Sequence, residues 1–197
     1  MTEVLFVRHG LPVAGVADPE LAEEGTIQAK RLTAWLAAER VDALATSPLR
    51  RARQTAAVLA AELGFVPTEI ADLREWEPRE PNEVYTPIEQ MAADDPRASA
   101  VAEGRYGDFV PDLDQPAFIT RARDCLEQIF EIWPSGRVVA VSHGGIINAI
   151  LAGVIGTPDL FWFNPGYTSV SRVEKLRSGR VVVHSANETG HLLGSRP

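Results

Sequence analysis

The sequence predicts a three-layer α/β sandwich: a mostly parallel central sheet with an antiparallel edge strand and helices on both faces. Three observations carry that prediction. Apolar, strand-like runs alternate with helical patterns, the rhythm of βαβ units. Two late strands flank KLRSGR, whose Ser178-Gly179 pair is a hairpin turn signal. The 197 residues suffice for one well-packed core but not comfortably for two, and no internal repeat divides them. The whole chain, 1–197, therefore reads as a single domain.

The elements follow in order. The run at 4–7 is a strand, and residues 25–39 carry the first helical pattern. A second strand is expected at 43–46. A helix over 49–63 follows, with Ser47 as its N-cap, Pro48 at its first position, and Ala52, Ala56, Leu59 and Leu63 on its buried face. A helix at 118–132 shows Phe118, Ala122, Cys125, Ile129 and Trp133 at helical spacing, which makes the single cysteine a core filler. A strand at 138–141, an apolar helix at 146–155, and hairpin strands at 169–173 and 181–184 complete the pattern. Residues 76–116 break the rhythm with six prolines, many acids and few apolar runs, and one short helix fits at 87–93. Two readings of this stretch stand side by side. It is a plain surface excursion, or a lid over the active site that shapes substrate choice.

Composition narrows the function. Hydrophobic residues make up 45% and charged residues 23%, the mix of a soluble domain. No run approaches the roughly 18 apolar residues that span a bilayer. The N-terminus lacks a basic-then-apolar signal, so a cytoplasmic location is the expectation. A net charge of −8 argues against a nucleic-acid or membrane partner, so any basic feature must be local.

Three elements end in chemistry. LFVRHG stops an apolar strand on Arg8-His9-Gly10, SPLRRARQTA opens a helix with Arg50, Arg51 and Arg53, and SHGG follows a buried strand with His143. In an open α/β sheet, ligands lie beyond the carboxyl ends of the strands. Cations in a helix's first turn oppose its dipole, so something negative belongs beside them, an acidic side chain or a bound anion. Arg50 and Arg53 read as solvated or paired with surface acids, whereas Arg51, on the buried side, reads as an anion ligand. Gly144 and Gly145 would let backbone N–H groups approach a ligand closely. His184 and His191 lack metal-ligand spacing and read as structural or exposed.

These motifs, with LAEEGTIQA before them and NETGHL after, resemble the histidine phosphatase superfamily, which includes cofactor-dependent phosphoglycerate mutases. The resemblance spans nearly the whole chain, in the family's order. It implies that His9 is the nucleophile and becomes a phosphohistidine. It implies that Arg8, Arg51 and His143 bind the phosphoryl oxygens, with Gly144 beside them, and that Gly10 permits a tight turn after His9. In LREWEPREP it implies Glu75 as proton donor, and Glu77 and Glu80 stand as substitutes. Trp76 and Tyr85, near that acid and the 76–116 stretch, are candidates to line a leaving-group pocket.

The chemistry agrees with that assignment. Phosphoryl transfer asks for positioning and charge stabilisation, and guanidiniums supply permanent planar donors. Neighbouring arginines keep a nucleophilic imidazole neutral. No metal and no cofactor is required. The expected activity is a metal-independent phosphatase, a phosphoric monoester hydrolase acting on a small phosphomonoester. Three alternatives stand beside it: a phosphoprotein or phosphohistidine phosphatase, a phosphoglycerate mutase-type phosphotransferase, and a non-catalytic phospholigand-binding member. The apolar LPVAG after Gly10, where the family often has Glu or Gln and an Asn, weighs against the mutase. The oligomeric state stays open, with a homodimer among the options.

Overall fold

The computed structural model describes residues 1–76, 84, 86, 91, 92, 94–105, 108 and 113–193. The central sheet is six-stranded: β1 (Thr2–Arg8), β2 (Ala43–Thr46), β3 (Thr68–Glu69), β4 (Gly136–Ser142), β5 (Val170–Lys175) and β6 (Val181–Glu188). Their spatial order is β3-β2-β4-β1-β5-β6. Strands β3, β2, β4 and β1 run parallel, while β5 is antiparallel to β1 and β6 to β5. This is the expected fold class.

Alternation along the strands builds the three layers. In β1, Val4 and Phe6 face one core while Leu5 and Val7 face the other, as period-2 side chains must in a sheet covered on both faces. The Leu5 side packs against α1 (Glu23–Leu36) and α2 (Arg50–Leu63) through Leu32, Leu36, Ala52, Ala56 and Leu59. The Phe6 side packs against α4 (Gln115–Ile132) and α5 (Gly144–Ile155). Cys125 is buried there, as expected, and burial pushes its thiol up to about 12. Both α2 and α5 stop at a glycine in the left-handed region, Gly64 (φ 77°) and Gly156 (φ 74°).

Three elements depart from expectation. β3 is a two-residue edge strand with exposed side chains, too short to show a pattern. α2 begins at Arg50, not at Pro48, and its N-cap position holds Leu49, with no side-chain cap. In the proline-rich stretch, the helix α3 (Pro96–Ala102) rests on an Asp95 cap and a proline in its first turn. The helix expected at 87–93 lies outside the described residues except for 91 and 92, as do Glu77, Glu80, Tyr85 and much of 76–116.

Candidate active site

The sheet register decides where the charged residues meet. Arg8 pairs with Ser142, and Thr46 with Val141, so the parallel strands β1, β2 and β4 end together. Their next residues, His9, Ser47 and His143, continue off one edge, with His9 N–H on the Ser142 carbonyl and Ser47 N–H on that of Val141. His9, Arg8, Arg51 and His143 are all buried. The His9 and His143 ring centroids lie 5.0 Å apart. All four expected phosphate-pocket residues therefore come together.

The protonation state of His9 follows from its contacts. Nδ1 lies 2.8 Å from the Gly10 carbonyl, which can only accept, so the proton sits on Nδ1. Arg51 Nε–H donates to Nε2 at 3.1 Å, which requires the lone pair there. Burial first, then Arg51 and Arg8, holds this imidazole well below its ordinary value, while the Gly10 bond opposes them. His9 is thus a neutral ring with its lone pair on Nε2.

Arg8 is fixed from outside the strand. It donates to the Pro165 carbonyl, and its guanidinium carbon lies 3.8 Å from the Tyr167 ring centroid. Asn148 of α5 holds the approach to that loop, donating to the Gly144 and Phe163 carbonyls and accepting from the Trp162 and Phe163 N–H groups. Behind His9, Thr168 occupies the left-handed region at φ 57°, a costly place for a β-branched residue, and donates its N–H to the Arg8 and His9 carbonyls.

His143 Nε2 lies 2.7 Å from Ser47 Oγ, and its buried Nδ1 has no hydrogen-bond partner among the described residues. Burial leads, and Arg51, His9, Arg8 and Arg121 add to it, in holding this ring well below its ordinary value too. Ser47 therefore serves His143, and its Oγ also accepts the Leu49 N–H at 3.2 Å just ahead of α2, whose first turn is closed from a distant loop. Asp18 accepts the Arg50 N–H at 2.9 Å and lies 3.7 Å from Arg51 Nη1. The counter-charge expected at this helix start is an acidic side chain. Arg50 pairs with Glu20, and Arg53 lies 3.8 Å from Glu69, the surface pairing expected for both.

Glu75 is half-buried beside the start of α5. Its Oε2 accepts the Gly145 N–H at 2.9 Å, and its Oε1 the Ile146 N–H at 3.2 Å and the Trp76 N–H at 3.3 Å. Burial raises this carboxyl above its ordinary value, against the pull of the Gly145 N–H, Arg51, Arg8 and the Trp76 N–H.

Two glycine expectations need correction. A Cβ on Gly145 would lie 2.2 Å from the Trp76 ring and 2.4 Å from Glu75 Oε1, so this glycine makes room for the acid rather than for a ligand. Gly10 needs no special backbone angle. A Cβ there would meet the Gly25 carbonyl oxygen at 2.5 Å, so close approach of two backbones explains it. Gly144 heads α5, where a Cβ would make ordinary contact, 3.7 Å, with Arg8 Nε. Trp76 is half-buried, edge-on to Phe161 at 5.8 Å and Phe118 at 6.5 Å.

Other positioning groups were not legible beforehand. Thr55 Oγ1 accepts the Gly10 N–H and donates to the Arg51 carbonyl, tying the nucleophile's strand to the helix of its arginine. Gln28 holds the Leu11 N–H and Gln54 the Leu21 N–H, clamping both ends of the loop after His9. Away from the site, His191 Nε2 meets Thr168 Oγ1 at 3.0 Å and stacks on Trp35, and His184 pairs with Glu174, both structural. Among the described residues, no three His, Cys, Asp or Glu side chains could hold a metal ion, and no helix is long and apolar enough to cross a membrane.

The sequence profile of the histidine phosphatase superfamily (branch 1) matches residues 4–189. A metal-independent phosphoserine phosphatase of Arabidopsis thaliana is 32% identical over 165 residues, covering 76% of this chain and 67% of its own. A probable phosphoglycerate mutase, GpmB, of Yersinia enterocolitica is 28% identical, covering 98% and 95%. Among solved structures, phosphoserine phosphatase from Entamoeba histolytica superposes with a TM-score of 0.74 at 24% identity over 98% of this chain and all of that one. A mycobacterial glucosyl-3-phosphoglycerate phosphatase gives a TM-score of 0.74 at 23% identity over 95% and 99%. The structural likenesses bear out the expected fold.

Proposed function

The chain belongs to the histidine phosphatase superfamily and is a phosphoric monoester hydrolase, and from that premise we propose that it hydrolyses a small phosphomonoester through a phosphohistidine on His9, without a metal or cofactor. The observation that carries this reading is the doubly fixed His9 ring, with Nδ1–H on the Gly10 carbonyl and the Nε2 lone pair on Arg51 Nε–H. On this reading the Arg51 guanidinium exchanges a ring nitrogen for a phosphoryl oxygen as the phosphorus reaches Nε2. Arg8, Arg51 and His143 stabilise the charge on the transferring oxygens.

In the first step, Nε2 forms a bond to phosphorus, the ester P–O bond breaks, and Glu75 gives its proton to the leaving oxygen. In the second, water attacks phosphorus, the Glu75 carboxylate takes the water proton, and the P–N electrons return to Nε2. A raised pKa suits Glu75 to both roles, since it is an acid before the first step and a base before the second. The substrate class is that of relatives named for phosphoserine and phosphoglycerate, and no nucleic-acid or membrane partner is invoked. The test is phosphate release from p-nitrophenyl phosphate in excess chelator. We expect turnover by the wild type and none by His9→Ala, and turnover that survives in His9→Ala would overturn the reading.

A further inference from the structure

We propose that Arg121 is a positioning residue for the proton donor: from α4, its guanidinium holds the backbone that carries Glu75, and so sets where the carboxyl meets the leaving oxygen. This rests on the reading of Glu75 given above. Arg121 Nη1 donates to the Arg74 carbonyl at 2.7 Å and the Asp72 carbonyl at 3.3 Å, and Nη2 donates to that of Glu75 itself at 3.0 Å. Ser142 Oγ takes the remaining carbonyl of this run, Leu73, at 2.7 Å. Four successive carbonyls, 72–75, thus accept from side chains, three of them from one guanidinium.

The segment needs such a partner. It follows a three-residue 3-10 helix and belongs to no sheet ladder, so its backbone has no repeating bonds to fix it. A guanidinium's planar fork can serve several carbonyls at once, which a lysine ammonium on a flexible stem cannot do in the same geometry. Phe118, one turn earlier on α4, fixes the fork from its face: the Arg121 guanidinium carbon lies 4.8 Å from the Phe118 ring centroid. The same Phe118 ring meets Trp76, the residue after the acid. Arg121 bonds to the backbone that bears the acid and acts through it.

The measurement is kcat/KM for p-nitrophenyl phosphate and for phenyl phosphate, two leaving groups of nearly equal shape but very different acidity. It compares wild type, Glu75→Gln, Arg121→Lys, Arg121→Met and the Glu75→Gln/Arg121→Met pair. This ratio reports only the steps through cleavage of the ester bond, where Glu75 acts as acid. A nitrophenolate departs with little help, whereas a phenolate needs the proton.

We expect both Arg121 variants to lose about tenfold or more on phenyl phosphate and less than about threefold on p-nitrophenyl phosphate, in the range of a misplaced general acid. Glu75→Gln should show the same selectivity more strongly, and the double variant should be no slower than Glu75→Gln alone. Arg121→Lys keeps the charge, so its failure to rescue separates the fork from a field effect. Equal losses on both substrates, no loss on either, or a multiplicative loss in the double variant would overturn the proposal. If Glu75→Gln itself shows no leaving-group selectivity, the proton-donor reading fails. If it does and Arg121→Lys does not, the inference about Arg121 fails alone.

Discussion

Two groups of arginines sit toward opposite ends of the same strands, and they are held in opposite ways. Near the start of β1 and β4, Arg137 bonds to Glu3 and Glu39, while Arg172 of β5 takes Glu39 at 2.6 Å and Glu188 at 2.9 Å and also lies 3.7 Å from Glu3. The bond from Arg172 chiefly holds the Glu39 carboxyl below its ordinary value, and Glu39 and Glu188 raise Arg172 in turn. At the other end, Arg8 is oriented by a carbonyl and an aromatic ring, and Arg51 points its Nε at a neutral imidazole while its Nη1 lies 3.7 Å from Asp18. The first cluster spends its charge on closing the sheet against α1. The second gathers two buried guanidiniums beside His9, where a phosphoryl group would be bound.

Substitutions at the two ends should therefore have opposite signatures. Arg51→Met is expected to lower kcat/KM for p-nitrophenyl phosphate by about 10²–10³, the size of losing one transition-state donor. Its melting temperature should stay nearly level, because the cation lost from the helix start opposes the dipole while its Asp18 contact is long and half-exposed. A large fall in melting temperature would show that Arg51 is structural, as Arg172 is.

Gly10→Ala comes next. Its Cβ meets the Gly25 carbonyl, so α1 and the strand end must separate, costing about 1–3 kcal/mol and displacing His9. Chemical denaturation together with kinetics would reveal both losses. A stable, fully active variant would contradict the close-approach account.

Arg172→Met should cost about 2 kcal/mol, less than a fully buried pair because Glu39 and Glu188 keep partial contact with water. Turnover should be unchanged. A fall in turnover without a fall in stability would break the division of labour between the two ends.

The smallest effect is on the pH dependence of stability. His9 and His143 are held neutral, below their ordinary 6.5, so below that pH the unfolded chain binds more protons than the folded one. Stability is fully present above about pH 6.5 and should be lost as pH falls from there toward the folded-state values. Denaturation midpoints for wild type and His9→Gln should diverge across that window, with the variant less acid-sensitive. Parallel curves would mean that His9 does not carry the burden.

The contrast also explains what the sequence could reveal. Arg8, His9, Arg51 and His143 stood out because charge at the end of an apolar strand, or in the first turn of a helix, has no structural excuse. Thr55, Gln28 and Gln54 act on backbone N–H groups, and nothing in their spacing separates them from polar residues on a solvated face. Nothing in the spacing of Arg121 separates it from a surface arginine of α4, because its partners are carbonyls 46–49 residues away. The start of α2 lies past Pro48 for a similar reason. Ser47 accepts the Leu49 N–H, but the carboxylate that closes the first turn comes from Asp18, 32 residues earlier, and Ser47 also meets His143. The layers, by contrast, rest on period-2 and period-3.6 patterns that are local, and local patterns survive in a sequence.

The central claim is that His9 attacks through Nε2, and trapping the phosphoenzyme tests it most directly. Wild-type protein mixed with excess p-nitrophenyl phosphate should be quenched in alkali within a turnover, and the phosphorylated site mapped by mass spectrometry and phosphorus NMR. The account predicts an acid-labile, alkali-stable phosphate on Nε2 of His9. Phosphate on Nδ1, on another residue, or on none while turnover proceeds would contradict it.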